Sequence, residues 1–86
     1  MKDLEKTLKA LANKRRLAII KYLKANGEAS VGELAKAIRL SFKSTSRHLR
    51  ILLAADIIEP EQRSSQMFYR LSVVQKAPAK SIIALL

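Results

Sequence analysis

The chain is punctuated for helices four times between Asn13 and Ser41, and this constrains its fold more than anything else in it. Asn13 has a side-chain oxygen suited to accept from the free N–H groups that open a helix. Asn26-Gly27 is a stop, because glycine enters the left-handed conformation that closes a helix without a Cβ clash. Ser30-Val31-Gly32-Glu33 is an S-x-x-E capping box. Ser41 is a further cap. These signals cut the first part of the chain into short helices, and the apolar spacing fills them in. Leu4, Leu8, Leu11 and Ala12 make one stripe at helical spacing. Leu17, Ile20 and Leu23 continue an inward face. Leu34, Ala35 and Ile38 follow the capping box and give a third helix over about residues 31–38. A fourth runs from Ser41 to about Ala54 or Ala55.

Beyond Ile57 the pattern changes. Ile57, Ile58 and Glu59 lead into Pro60, and QMFYRLSV at 66–73 alternates around Met67, Tyr69 and Leu71. Both read as strands. The polar PEQRSS between them has no Asn-Gly or Asp-Gly, so a tip longer than a two-residue turn is expected. Pro60 suits an edge or bulge better than a paired position. Pro78 can open a short last helix. The resulting order is helix, helix, helix, helix, hairpin, helix. That is a mostly α chain with a β-hairpin wing, the layout of a winged helix-turn-helix, as one domain over residues 1–86.

Composition narrows the chemistry. Of 86 residues 49% are hydrophobic, but aromatics are few and tryptophan is absent, so the core must be aliphatic. The net charge of +10 is the footprint of a protein that meets a polyanion, whether DNA, RNA or an anionic membrane surface; the competing reading is a lysine-rich solubilising surface. Without cysteine there are no disulfides, thiolate metal sites or thiol nucleophiles. No apolar run approaches the ~18 residues of a membrane span. The N-terminal MKDLEKTLKALANKRR lacks an apolar signal core, so a cytoplasmic location and no membrane association are expected. An enzyme is not expected. The seven acids are scattered, there is one histidine, and two glycines make no phosphate loop.

The candidate site is the fourth helix, about residues 41–54. Phe42, Thr45, Leu49, Leu52 and Leu53 should face inward. At about 100° per residue, Lys43, Arg47 and Arg50 fall within roughly a 60° sector on the other side. Ser41, Ser44 and Ser46 lie near its N-terminal end. A positive face free of acids, with hydroxyls at its start, suits entry into a DNA major groove, where arginine pairs with guanine and hydroxyls or lysine hold phosphates. An ordinary solvated helix face is the competing reading. The wing, about 59–72, offers Arg63, Ser64, Ser65 and Gln66 to backbone or minor groove, or is simply a polar loop. His48, at the edge of the exposed face, serves either DNA contact or helix packing.

Taken together, LKALANKRRLAIIKYL at 8–23, ELAKAI at 33–38, STSRHLRILLAADII at 44–58 and FYRLS at 68–72 resemble the ArsR/SmtB-type winged-helix repressors. The SRHL tetrad at Ser46–Leu49 and the YRL triplet at Tyr69–Leu71 are the most specific parts. The resemblance implies a homodimer that represses transcription from a double-stranded operator with two related half-sites. It places the dimer interface on the first and last helices, here Leu4, Leu8, Leu11, Ile82, Ile83, Leu85 and Leu86; the alternative is that both stripes pack within one subunit. It makes His48 a candidate DNA contact. The sequence also departs from the family. Metal sensors of this type carry cysteines in the third helix or histidines and acids in the last; VGELAKAI and KAPAKSIIALL offer neither thiol nor imidazole, so no metal or other cofactor is expected. Arg39, Asp56 and the Arg63-Ser64-Ser65 tip stand where the family commonly has glycine, and at Arg39 this implies a positive φ in a non-glycine residue.

Two other functions fit parts of this pattern. Lys14, Arg15, Arg16, Lys21 and Lys24 spread the charge beyond the fourth helix, as in a non-specific architectural protein coating nucleic acid. A protein-interaction module with an acidic partner would use the same fold without DNA.

Overall fold

The computed structural model describes residues 2–86. Its elements are α1 (Lys2–Leu11), α2 (Lys14–Asn26), β1 (Ala29–Ser30), α3 (Val31–Ile38), α4 (Phe42–Ala54), β2 (Ile58–Arg63), β3 (Gln66–Leu71) and α5 (Ala79–Leu85). Every helix boundary signal acts where the sequence puts it. Asn13 Oδ1 accepts from the backbone N–H groups of Arg15 and Arg16 at 2.9 and 3.1 Å. Gly27 closes α2 at φ 86°. Ser30 and Glu33 exchange both hydrogen bonds of the capping box, at 2.9 and 3.2 Å. Ser41 Oγ accepts from Ser44 N–H at 3.1 Å.

The core is aliphatic. Ile19, Ile20 and Leu23 of α2 meet Leu34 of α3, Leu49 and Leu52 of α4, and Ile57 and Ile58 at the base of the hairpin. Truncating Leu49 or Leu52 to alanine therefore costs about 2–5 kcal/mol, a large part of the stability of so small a domain. The last helix packs on α1 and α2. Lys24 Nζ donates to the carbonyl of Ile83 near the end of α5 at 3.0 Å.

The turn between α3 and α4 is short and closed by an unusual residue. Leu40 N–H donates to Ala35 O at 3.0 Å and Arg39 N–H to Lys36 O at 3.3 Å, the two bonds of a Schellman motif. Arg39 occupies the left-handed position at φ 55°, ψ 52°. The same pair of bonds ends α4, from Ile57 N–H to Leu52 O and from Asp56 N–H to Leu53 O, with Asp56 at φ 58°. The positive φ expected at Arg39 is thus present, and Asp56 repeats it.

The hairpin differs from expectation in three ways. It is part of a three-stranded antiparallel sheet in the order β1-β3-β2, because Ala29 and Ser30 pair with Tyr69 and Phe68. A two-residue strand leaves no periodic signal. The tip is also shorter than expected. Arg63 pairs with Gln66, so Ser64-Ser65 is a two-residue turn, with Ser64 at φ 55°. Register is set by the alternation of both strands, with Ile58 opposite Leu71. Holding it outweighs the cost of about 1 kcal/mol for a left-handed serine. Pro60 does lie on the edge strand, yet it stays in register opposite Tyr69.

Candidate nucleic-acid interface

The helix expected to carry the site is held by its buried side. Thr45, Leu49 and Leu52 of α4 are buried, and Leu53 packs against them partly exposed. Lys43, Arg47 and Arg50 are exposed on the other side. Among the described residues none of the three joins an ion pair, and α4 carries no acid. Ser44 and Ser46 are half-buried beside them. Ser41 is exposed but spends its oxygen on the cap. Phe42 is the correction here: it was expected inward and is 63% exposed. It occupies the first turn of α4, where the helix has passed the end of the core.

His48 turns toward α2. Arg16 Nη1 lies 3.2 Å from His48 Nδ1. A guanidinium only donates, so Nδ1 accepts and the ring proton sits on Nε2. Burial, and then the charges of Arg16, Arg15 and Arg47, hold the imidazole below its ordinary pKa. Arg16 also donates through Nε to Ala10 O at 2.6 Å and through Nη2 to Lys9 O at 2.8 Å. It thereby caps the end of α1. Burial lowers its own pKa. Of the two roles weighed for His48, this geometry favours packing.

The wing brings together charges that looked scattered. Glu59, Glu61 and Arg63 alternate along one face of β2, with Phe68 and Arg70 opposite on β3. Arg63 donates to both carboxylate oxygens of Glu28 at 2.5 and 2.6 Å, donates through Nε to Glu61, and stacks 4.8 Å from the Phe68 ring centroid. Arg70 donates to Glu59 at 2.8 Å and Glu61 at 2.5 Å. Hydrogen bonds from Arg63 come first in holding Glu28 and Glu61 below the usual carboxylate range. The same bonds raise the pKa of Arg63, Glu28 first. Arg63 is therefore a tied cation, whereas Ser64, Ser65 and Gln66 at the tip are exposed. The i, i+2 alternation of Glu59, Glu61 and Arg63 was visible in the sequence; nothing local pointed to Glu28.

The residues expected at a dimer interface divide. Leu4, Leu8 and Leu85 are exposed, the last 84%, and Ile82 and Leu86 are partly exposed. Leu11 and Ile83 are instead buried in the protomer's own core, at 3% and 9% exposure. A stripe read at helical spacing does not say which of its members lie on the inner edge. No group of three or more His, Cys, Asp or Glu side chains converges among the described residues.

Comparison with known proteins adds independent findings. A helix-turn-helix domain family matches residues 11–61. The transcriptional activator HlyU of Vibrio cholerae is 39% identical over 79 residues, covering 92% of this chain and 69% of that protein. The arsenical resistance operon repressor of Bacillus subtilis is 32% identical over 72 residues, covering 84% and 69%. Among solved structures, the homodimeric winged helix-turn-helix DNA-binding domain Mb0332 of Mycobacterium bovis superposes with a TM-score of 0.83 at 28% identity, covering 98% of this chain and 74% of that one.

Proposed function

This chain belongs to the ArsR/SmtB-type winged helix-turn-helix regulators, and on that premise we propose that it binds double-stranded DNA sequence-specifically, as a cytoplasmic homodimer that represses transcription. The observation that carries the reading is the outer face of α4, where Lys43, Arg47 and Arg50 are exposed and without ion pairs among the described residues. Exposed cations without ion pairs are free to meet an external anion, and the first turns of such a helix reach base edges in the major groove. Arg47 and Arg50 are assigned to base edges or phosphates, Lys43, Ser44 and Ser46 to phosphates, and Ser41 to the cap. His48 is assigned to packing. Ser64, Ser65 and Gln66 meet backbone or minor groove. Arg63 reaches a phosphate only by leaving Glu28 and Glu61.

The dimer is assigned to α1 and α5 through Leu4, Leu8, Ile82, Leu85 and Leu86. Its support is the exposed apolar surface of these helices and the homodimeric relative of the same fold. Repression needs only that this domain occupy a promoter, and that is the mode assigned.

The test is a selection of bound duplexes from a random pool at about 150 mM salt, where purely electrostatic binding is already weakened. Enrichment of an inverted repeat with half-sites about 34 Å apart is expected. A pool that binds without enrichment would replace this reading with non-specific coating, and a pool that does not bind would remove DNA altogether.

A further inference from the structure

Phe42 is out of place by the ordinary logic of a protein surface. It is one of only two phenylalanines in the chain, and it is 63% exposed. The other aromatic rings are all used within the fold. Tyr22 and Tyr69 pack against the core, and Phe68 lies under Arg63. The remaining exposed apolar side chains lie away from that end of α4: Leu4 and Leu8 on α1, Leu85 on α5, Val73 and Val74 in the loop before it, Met67 on β3, and Ile51 nine residues further along α4. Phe42 alone sits on the first turn of α4, directly after the cap Ser41 and directly before Lys43. At about 100° per residue it lies about 20° from Leu49 and Leu53, about 40° from Ser46 and about 80° from Arg50, the nearest cation of the exposed sector.

That position limits what the ring can touch. If α4 enters a major groove, its first turn is the part nearest the base edges. A phenyl ring can neither donate to nor accept from a phosphate. Among the groups displayed in the major groove, only the 5-methyl of thymine is apolar. We infer that Phe42 is a specificity-determining residue that reads a thymine methyl group in each half-site. This rests on the DNA-binding reading above and extends it, because it names a base and an atom. The cations beside it set affinity and register, while the ring rejects cytosine at one position through the missing methyl and the solvated amino group.

The experiment uses the duplex enriched from the random pool and removes single methyl groups by replacing each thymine with uracil. Base pairing and every hydrogen-bonding group are unchanged by that replacement. For the native chain, one thymine per half-site should show a loss of about fourfold in affinity, the worth of one buried methyl-sized group. In Phe42→Ala the same replacement should have no effect, and Phe42→Leu should keep part of it. The ring lies outside the core, so both variants are expected to fold. A uracil effect that is absent, or equally large in Phe42→Ala, would overturn the inference while leaving sequence-specific binding intact. Failure to enrich any duplex would overturn the DNA-binding reading itself, and this inference with it.

Discussion

The recognition helix and the wing each display arginines to solvent, and they use them in opposite ways. On α4, Arg47 and Arg50 have no carboxylate within ion-pair distance among the described residues. On the wing, Arg63 and Arg70 are enclosed by Glu28, Glu59 and Glu61. The helix keeps its charge for a partner, whereas the wing uses its charge on itself. A cation's place in a DNA-binding motif therefore says little about its availability; what matters is which acids the fold carries to it.

The strongest way to break this contrast is to remove an arginine from each region. Arg47→Ala or Arg50→Ala should weaken binding to the selected duplex by about 1–3 kcal/mol and relax preference at one base position, if the side chain pairs with guanine. Equal loss on every duplex would mean that the residue meets phosphate only. Arg63→Ala should instead lower the melting temperature while changing DNA affinity less than either helix variant. A larger affinity loss from Arg63→Ala than from Arg47→Ala would overturn the division.

Backbone strain gives the next effect. Arg39→Gly relieves a left-handed residue at the entry to the recognition helix, and Ser64→Gly does the same at the tip of the wing. Each should raise stability by about 1 kcal/mol or less, since glycine also gains freedom in the unfolded chain. Thr45→Val should stabilise by about 1 kcal/mol as well, because the Thr45 hydroxyl is buried without a hydrogen-bond partner among the described residues. Urea titrations of the three variants would check both. A destabilised Thr45→Val would show that the hydroxyl has a partner after all.

Glu28→Gln converts the wing toward the behaviour of the helix. It loosens Arg63, so affinity at low salt should rise a few-fold, and the dependence of log affinity on log salt should steepen by about 0.9 for each phosphate gained. An unchanged slope would place Arg63 away from the backbone.

The smallest effect is on pH. His48 has its pKa lowered in the folded chain, so its neutral form is the one the fold accommodates. Stability is complete above the unfolded value of about 6.5 and falls as pH drops from there through the folded value. The wing carboxylates Glu28 and Glu61 are also depressed, and their contribution is lost in a separate window, below about pH 4.5. Melting curves between pH 8 and 5 should show the first decline, at about the histidine range, and His48→Gln should remove it.

Much of the fold was legible because helix ends obey local chemistry. Asn13, Gly27, Ser30 with Glu33, and Ser41 each act on groups within a few residues of themselves, so no tertiary information is needed to read them. The cationic face of α4 was equally plain, since periodicity alone separates it from Leu49 and Leu52. What the sequence hid is non-local. Glu28 meets Arg63, and His48 meets Arg16, only after the chain has folded. Phe42 was misplaced because periodicity assigns a side of the helix but not the height at which the core ends. Leu11 and Ile83, expected at a dimer interface, are covered within the protomer for a related reason: spacing marks an apolar stripe but not which of its members the subunit's own core takes up.

The guanidinium of Arg16 has a mechanical consequence. It grips the last carbonyls of α1 with one edge and the imidazole of α4 with the other. In the proposed dimer α1 is the helix shared with the second subunit, and α4 is the one laid into the groove. A slide or tilt of one against the other would have to break these three contacts or carry the other helix with it. In the proposed dimer the spacing between the two reading heads would then be gauged from inside each subunit, and a change made at the subunit seam, far from any base pair, is expected to retune which half-site separation the protein accepts.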